Sequence, residues 1–99
     1  MNQRLSEIQI IPIKPKNGLV AFASFVLDGN LYLGSIGIVT RLNGGYRLVY
    51  PTKKVSDRSL NIFHPINREF AELVEAEVVK QFEEVMKGNQ NAGYSKVNA

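Results

Sequence analysis

The sequence predicts an α+β fold, namely an antiparallel β-sheet of about five strands with one C-terminal amphipathic helix packed on it. Two observations predict this class. Between residues 8 and 63, apolar segments alternate with turn residues such as Gly, Asn, Asp and Pro. From residue 67 onward, apolar residues recur at helical spacing instead. Because 99 residues suffice for one hydrophobic core but not for two, we expect a single domain over residues 1–88 and a flexible polar tail over residues 89–99.

The first two strands are separated by a turn at residues 14–18. The first strand is predicted at Ile8–Ile13, where Pro12 restricts it to a sheet edge or a bulge because proline cannot donate a ladder hydrogen bond. The second, Leu19–Leu27, is apolar on both faces, which is typical of a central strand that is covered on both sides. One helix covers only one face. We therefore expect a second copy of the chain to cover the other, which makes the protein a homodimer.

The third strand follows a hairpin turn at residues 28–30 and is predicted over Leu31–Leu42. Its hydrophobic alternation changes phase at Gly34-Ser35, which indicates a β-bulge. A three-residue loop over residues 43–45 would pair Leu42 with Tyr46 and gather apolar side chains on one face, whereas a two-residue loop would mix the faces. We therefore predict the three-residue loop.

That register would place two arginines side by side on the other face of the sheet. Arg41 would lie directly opposite Arg47. Like charges in this position destabilise a strand pair by a few tenths of a kcal/mol up to about 1 kcal/mol. A bound anion would relieve the repulsion, so the two side chains are candidate phosphate contacts, although an ordinary polar face explains them equally well.

A short fifth strand, predicted over Ser59–Phe63, leads into the helix. Asn67 is a suitable N-cap, and Gly88 is a suitable residue to end the helix after about Lys87. The apolar stripe of the helix consists of Phe70, Leu73, Val74, Val78, Phe82 and Val85.

The composition excludes several classes of protein. The chain has no cysteine, which excludes a disulfide scaffold and a thiolate metal site and suits the cytoplasm. Its longest apolar run is too short to span a bilayer, so we expect no membrane partner. Residues 1–66 hold eight Lys or Arg against three acidic residues, whereas residues 67–99 hold four against six. The net charge of +3 is therefore distributed unevenly enough to allow one positive face.

The densest group of cations lies between the fourth strand and the helix. Lys53, Lys54 and Arg58 follow Pro51 in what we interpret as a turn, and Arg68 adds a fourth charge at the helix start. Fixed cations lose little entropy when a phosphate arrives, so this group is a candidate polyanion site. A solvated turn is the plainer explanation of a short charge cluster.

No pattern of residues indicates catalysis, a metal or a cofactor. His64, the only histidine, lacks further ligands at metal spacing and a nucleophile to activate. We expect it to bond the backbone where the last strand meets the helix. Tyr32, Tyr46, Tyr50 and Phe63 are candidates for stacking on exposed bases, but the predicted register favours the core for Tyr46 and Tyr50.

Two short motifs resemble those of a known family. The motifs are Pro51-Thr52-Lys53-Lys54 and His64-Pro65-Ile66-Asn67, at a spacing that is fairly specific to one family. On them the chain resembles the SpoVG (stage V sporulation protein G) family of septation proteins, over roughly residues 6–87. The resemblance implies a homodimeric α+β domain that binds DNA and RNA as a regulator, with Lys53 and Lys54 on the nucleic-acid surface. Lys54 stands where the family usually has Arg, which keeps the charge but loses the bidentate fork.

We therefore expect a non-enzymatic, cytoplasmic regulator that binds DNA, RNA or both, without a cofactor or a small-molecule substrate. Its predicted contacts are Lys53, Lys54, Arg58 and Arg68, with Arg41 and Arg47 as further candidates. The alternative is a protein-interaction adaptor in cell division or gene regulation that does not bind nucleic acid directly.

Overall fold

The computed structural model of the protein describes residues 4–91. Four strands form an antiparallel sheet in chain order, two more form a separate hairpin, and a helix follows. The elements are β1 (Leu5–Lys16), β2 (Leu19–Leu27), β3 (Leu31–Thr40), β4 (Tyr46–Val49), β5 (Thr52–Val55), β6 (Arg58–Asn61) and α1 (Arg68–Asn91). The predicted α+β class is confirmed. The prediction of five strands in one sheet is wrong, because the segment predicted as the fifth strand pairs with β5 instead of joining the four-stranded sheet, called the main sheet below.

Turn residues with positive φ join the first three strands. Asn17 and Gly18 have φ of 53° and 89°. A two-residue hairpin turn requires such positive φ values, because only then does the turn match the twist of its two strands. The turn is therefore shorter than predicted, and β1 and β2 continue up to it. At the predicted turn after β2, Asp28 and Gly29 also have positive φ, and the Asn30 amide donates to the Leu27 carbonyl at 2.9 Å.

The predicted bulge and the central position of β2 are both confirmed. β2 lies between β1 and β3. The pairing shifts by one residue between Ala23 and Phe25, so that Gly34 and Ser35 of β3 are opposite the single residue Ser24. Ser35 has a φ of 61°, a left-handed conformation that the extra residue of the bulge adopts.

The predicted register between β3 and β4 is wrong by two residues. Tyr46 lies opposite Thr40, not Leu42. The loop closes one residue earlier on each side, where the Arg41 amide donates to the Gly45 carbonyl at 2.9 Å. Both glycines of the loop have positive φ, 100° and 81°, a backbone conformation that glycine adopts without steric cost. Since the shift is an even number, the predicted faces are unchanged.

The core lies between one face of the main sheet and the helix. Its fully buried side chains come from β2, β3 and α1, among them Phe25, Ile36, Ile38, Val74 and Val78. The Phe82 and Tyr46 rings meet edge to face with centroids 4.9 Å apart, which anchors β4 to the helix.

Both ends of α1 bear on the sequence predictions. The Asn67 side-chain oxygen accepts a hydrogen bond from the Phe70 amide at 2.7 Å, which confirms the predicted N-cap. The predicted end at Gly88 is wrong, because the helix passes through it to Asn91. Gly88 lacks the positive φ of a helix-ending glycine. Residues 92–99 of the predicted tail lie outside the described residues. Over residues 4–91 no helix has the length and apolarity needed to cross a membrane.

Candidate nucleic-acid interface

Three of the predicted cations lie on a separate β-hairpin, formed by β5 and β6 and called the basic hairpin here. Val55 and Arg58 are the last pair of the ladder, and Ser56, with a φ of 58°, begins the two-residue turn between them. The expectation that Lys53, Lys54 and Arg58 occupy a turn is therefore wrong, because all three are strand residues.

The basic hairpin is exposed over its whole length. All eight residues of its two strands are exposed to solvent. It is not hydrogen-bonded into the main sheet, and its strands contact chiefly each other. At its base the Ile62 amide donates to the Pro51 carbonyl at 3.0 Å, which continues the pairing beyond the strands. The basic hairpin therefore offers both of its faces to a partner.

The ladder distributes the three cations over the two faces of the basic hairpin. Lys53 lies opposite Leu60, and Arg58 opposite Val55, so Lys53 and Arg58 share one face as diagonal neighbours. Lys54 lies opposite Ser59 on the other face, since successive side chains of a strand point to opposite sides. Within residues 4–91, no carboxylate forms an ion pair with any of the three.

His64 makes a backbone contact within the segment between the basic hairpin and the helix. Its ring nitrogen Nδ1 lies 2.9 Å from the Pro65 carbonyl oxygen, and because a carbonyl only accepts, Nδ1 is the donor. This confirms the expected backbone contact of His64. Arg68, the fourth predicted cation, is the first residue of α1 and is exposed.

The structure separates Arg41 from Arg47, so the predicted side-by-side pair is wrong. The Arg41 guanidinium donates to the Glu75 carboxylate at 2.9 Å and to the Tyr46 carbonyl at 3.0 Å. Arg47 instead lies opposite Val39 in the ladder. Arg41 is therefore paired with a carboxylate of the helix, and the register removes the repulsion that we expected an anion to relieve.

The sequence analysis missed a cation that shares a face with Arg47. Direct pairing joins Lys16 to Leu19, Leu19 to Val39 and Val39 to Arg47, so these four residues form one row across the main sheet. Three strand spacings place the Cα atoms of the two cations about 14 Å apart across the sheet. Only the register of all three strand pairs shows this relation, and no local signal indicates it.

The face of the main sheet opposite the helix, called the open face here, carries a row of exposed apolar side chains beside the row of Lys16 and Arg47. Ile11, Phe22, Gly37 and Val49 form one row across it, and the three side chains of that row are 63%, 38% and 42% exposed. Tyr32, which is also on this face, is 68% exposed. By contrast, Tyr46 and Tyr50 are partly buried and pack against the core, as predicted. This is the face that we expected a second copy of the chain to cover.

Comparison with known proteins identifies a family. The family model described as SpoVG matches residues 3–84. A protein of Treponema denticola with the name "Putative septation protein SpoVG" is 28% identical over 89 residues, which cover 87% of this chain and 95% of that protein. The matched region contains the whole main sheet, the basic hairpin and most of the helix.

Proposed function

The chain belongs to the SpoVG family, and from that premise we propose that it is a non-enzymatic regulatory protein that binds nucleic acid through the basic hairpin. The name of the Treponema denticola relative supports a role in septation. The observation that carries the binding proposal is the division of Lys53, Lys54 and Arg58 between two exposed faces of one ribbon.

A ribbon with cations on both faces suits a groove better than a flat surface. The major groove of B-form DNA is about 12 Å wide and admits a two-stranded β-ribbon, and phosphates line both of its walls. The major groove of A-form RNA is too narrow for side chains to read. We therefore propose duplex DNA as the preferred partner. Lysines at positions 53 and 54 favour phosphate contacts over bidentate contacts to bases.

We propose that two copies of the chain associate through the open face. The apolar row of Ile11, Phe22 and Val49, together with Tyr32, supplies a surface that one helix cannot cover. A two-fold arrangement would present two basic hairpins to the same nucleic acid. The second contact would then be intramolecular, so that weak individual contacts combine into a useful affinity.

The binding proposal is tested by fluorescence anisotropy with random-sequence duplex DNA and duplex RNA. Wild-type protein is expected to bind DNA more tightly than RNA, and Lys53→Ala/Lys54→Ala is expected to lose most of the binding. The control, Lys80→Ala/Lys87→Ala, removes the same charge from exposed positions of the helix and should bind almost normally. Absence of binding by the wild type at low salt would contradict the proposal.

The second candidate function is a protein-interaction adaptor. It is favoured by Leu42 at the tip of the β3–β4 loop, which is as exposed as a residue in an extended chain, and by Ile66, which is 91% exposed. An adaptor would keep its regulatory effect in cells when Lys53→Ala/Lys54→Ala has removed the two charges. A nucleic-acid regulator would lose it.

A further inference from the structure

One face of the basic hairpin carries aliphatic side chains whose presence the proposed phosphate contacts do not explain. Val55 lies opposite Arg58 and is 43% exposed. Leu60 lies opposite Lys53 and is 45% exposed. These four residues share one face, called the mixed face here, with the two cations on one diagonal and the two aliphatic side chains on the other. Val55 and Leu60 are not part of the hydrophobic core, so they are free to contact a partner.

The strand residues on the opposite face of the basic hairpin are all polar. Thr52 lies opposite Asn61, and Lys54 lies opposite Ser59. Both faces are exposed, so packing within the domain does not require them to differ. A partner that offered only phosphates would give aliphatic groups no contact on either face. The mixed face therefore fits a partner that presents negative charge and apolar groups side by side.

The major groove of B-form DNA is such a partner. Phosphates line its walls, and each thymine presents its C5-methyl group on the floor, a group that the minor groove lacks. Lys and Arg side chains are long enough to reach the walls, whereas Val and Leu contact what lies directly in front of the ribbon. Each strand holds one residue of each kind, Lys53 with Val55 on β5 and Arg58 with Leu60 on β6. An aliphatic side chain therefore faces the bases whichever strand lies deeper in the groove.

We propose that Val55 and Leu60 contact the C5-methyl groups of thymine, so that the protein favours duplexes with methyl groups in the major groove. This inference rests on the proposed function and adds a sequence preference to it. The source of the preference is the apolar surface that the methyl group and the aliphatic side chain remove from water when they meet. Uracil lacks the methyl group, so the same contact favours DNA over duplex RNA independently of the width of the groove.

The test uses two pairs of DNA duplexes of equal length, and the members of each pair differ only in the C5-methyl group. In the first pair, alternating A·T is compared with alternating A·U. In the second, alternating G·C is compared with the same duplex carrying 5-methylcytosine. In anisotropy titrations of the full chain, wild-type protein is expected to bind the methylated member of each pair more tightly, by about fourfold for each methyl group buried.

Three variants assign this preference to the mixed face. Val55→Thr/Leu60→Thr keeps residues that suit a strand and is expected to bind both members of each pair equally, with the salt slope of the wild type because no charge is removed. Lys54→Ala alters the opposite face and is expected to keep the wild-type ratio within each pair. Leu42→Thr, the matched control, replaces an exposed leucine of the β3–β4 loop and should leave the affinities unchanged.

Equal binding of both members of each pair by the wild type, a comparison that needs no variant, would overturn this inference and leave the proposed function standing. A preference in the A·T pair alone would assign it to the shape of the duplex instead of the methyl group. An unchanged preference in Val55→Thr/Leu60→Thr would place the contact elsewhere, and conversion of that variant from dimer to monomer in sedimentation velocity would assign the two side chains to a second copy of the chain. Both results overturn the inference. Absence of binding to every duplex would overturn the proposed function as well.

Discussion

The two cationic faces of the basic hairpin lead to a prediction that separates a groove-inserted ribbon from a ribbon that lies flat. A dimer would carry six hairpin cations, from Lys53, Lys54 and Arg58 of each copy. Each neutralised phosphate of duplex DNA contributes about −0.9 to the slope of log affinity against log salt, so the slope should be about −5. Between about 50 and about 200 mM salt the affinity should then fall by a factor on the order of 10³.

Substitutions on each face of the basic hairpin measure how much that face contributes to the salt slope. Lys54→Ala removes two cations per dimer and should reduce the slope to about −3.6, whereas Lys53→Ala/Arg58→Ala removes four and should reduce it to about −1.8. Anisotropy titrations at four or five salt concentrations measure these slopes. Lys80→Ala serves as the control, because it removes one exposed lysine per copy from the helix and should leave the slope unchanged.

One result would refute the groove reasoning even if the protein binds DNA. A slope that is unchanged in Lys54→Ala would show that only the face with Lys53 and Arg58 meets the phosphates. The ribbon would then lie flat on its partner, and the proposed preference for duplex DNA over RNA would lose its geometric basis. A slope that is equal in Lys80→Ala and Lys54→Ala, both reduced, would instead show a diffuse charge effect.

Three further predictions concern the rest of the domain. Phe22→Glu places a charge on the open face and should convert a dimer to a monomer in sedimentation velocity, whereas a wild type that is monomeric would contradict the dimer. Arg41→Ala and Glu75→Gln, combined in a double-mutant cycle by urea unfolding, should show a coupling of about 0.5 kcal/mol because the ion pair is partly exposed; zero coupling would mean that the pair does not persist in solution. Burial, and in second place the nearby Glu75 carboxylate, raise the pKa of Tyr50 from 10.0 to about 12, so the contribution of Tyr50 to stability is complete below about pH 10 and is lost as the pH rises towards 12. Urea midpoints measured in that range should fall less for Tyr50→Phe than for wild type, and equal falls would contradict the shift.

Local features were predictable because residues close in sequence determine them. The hairpin turn at residues 28–30, the bulge at Gly34-Ser35 and the N-cap at Asn67 each depend on a few neighbouring residues with particular backbone or hydrogen-bonding properties. The backbone contact of His64 belongs to the same group. The faces of β3 and β4 beside their shared loop also followed, because the side-chain period of two survives a register error of two residues.

The strand β5 was not predictable by the same reasoning. Thr52–Val55 contains two lysines and no apolar alternation, so it was interpreted as part of a turn. Its turn to β6 has Ser56 at a position of positive φ, where glycine or asparagine is the usual signal. Because the strand is exposed on both faces, its sequence lacks the alternation of apolar and polar residues that identifies a half-buried strand.

The sequence by itself determined the fold class, the family motifs and which residues carry positive charge. Only the tertiary structure decided which of those charges are free. Arg41 is paired with Glu75, 34 positions away, and Lys16 lies in one row with Arg47 through three strand pairings. The physical reason is that charge is a property of a residue, whereas neutralisation and shared faces depend on contacts between segments far apart in the chain, and those contacts are set by the register and packing of the whole domain.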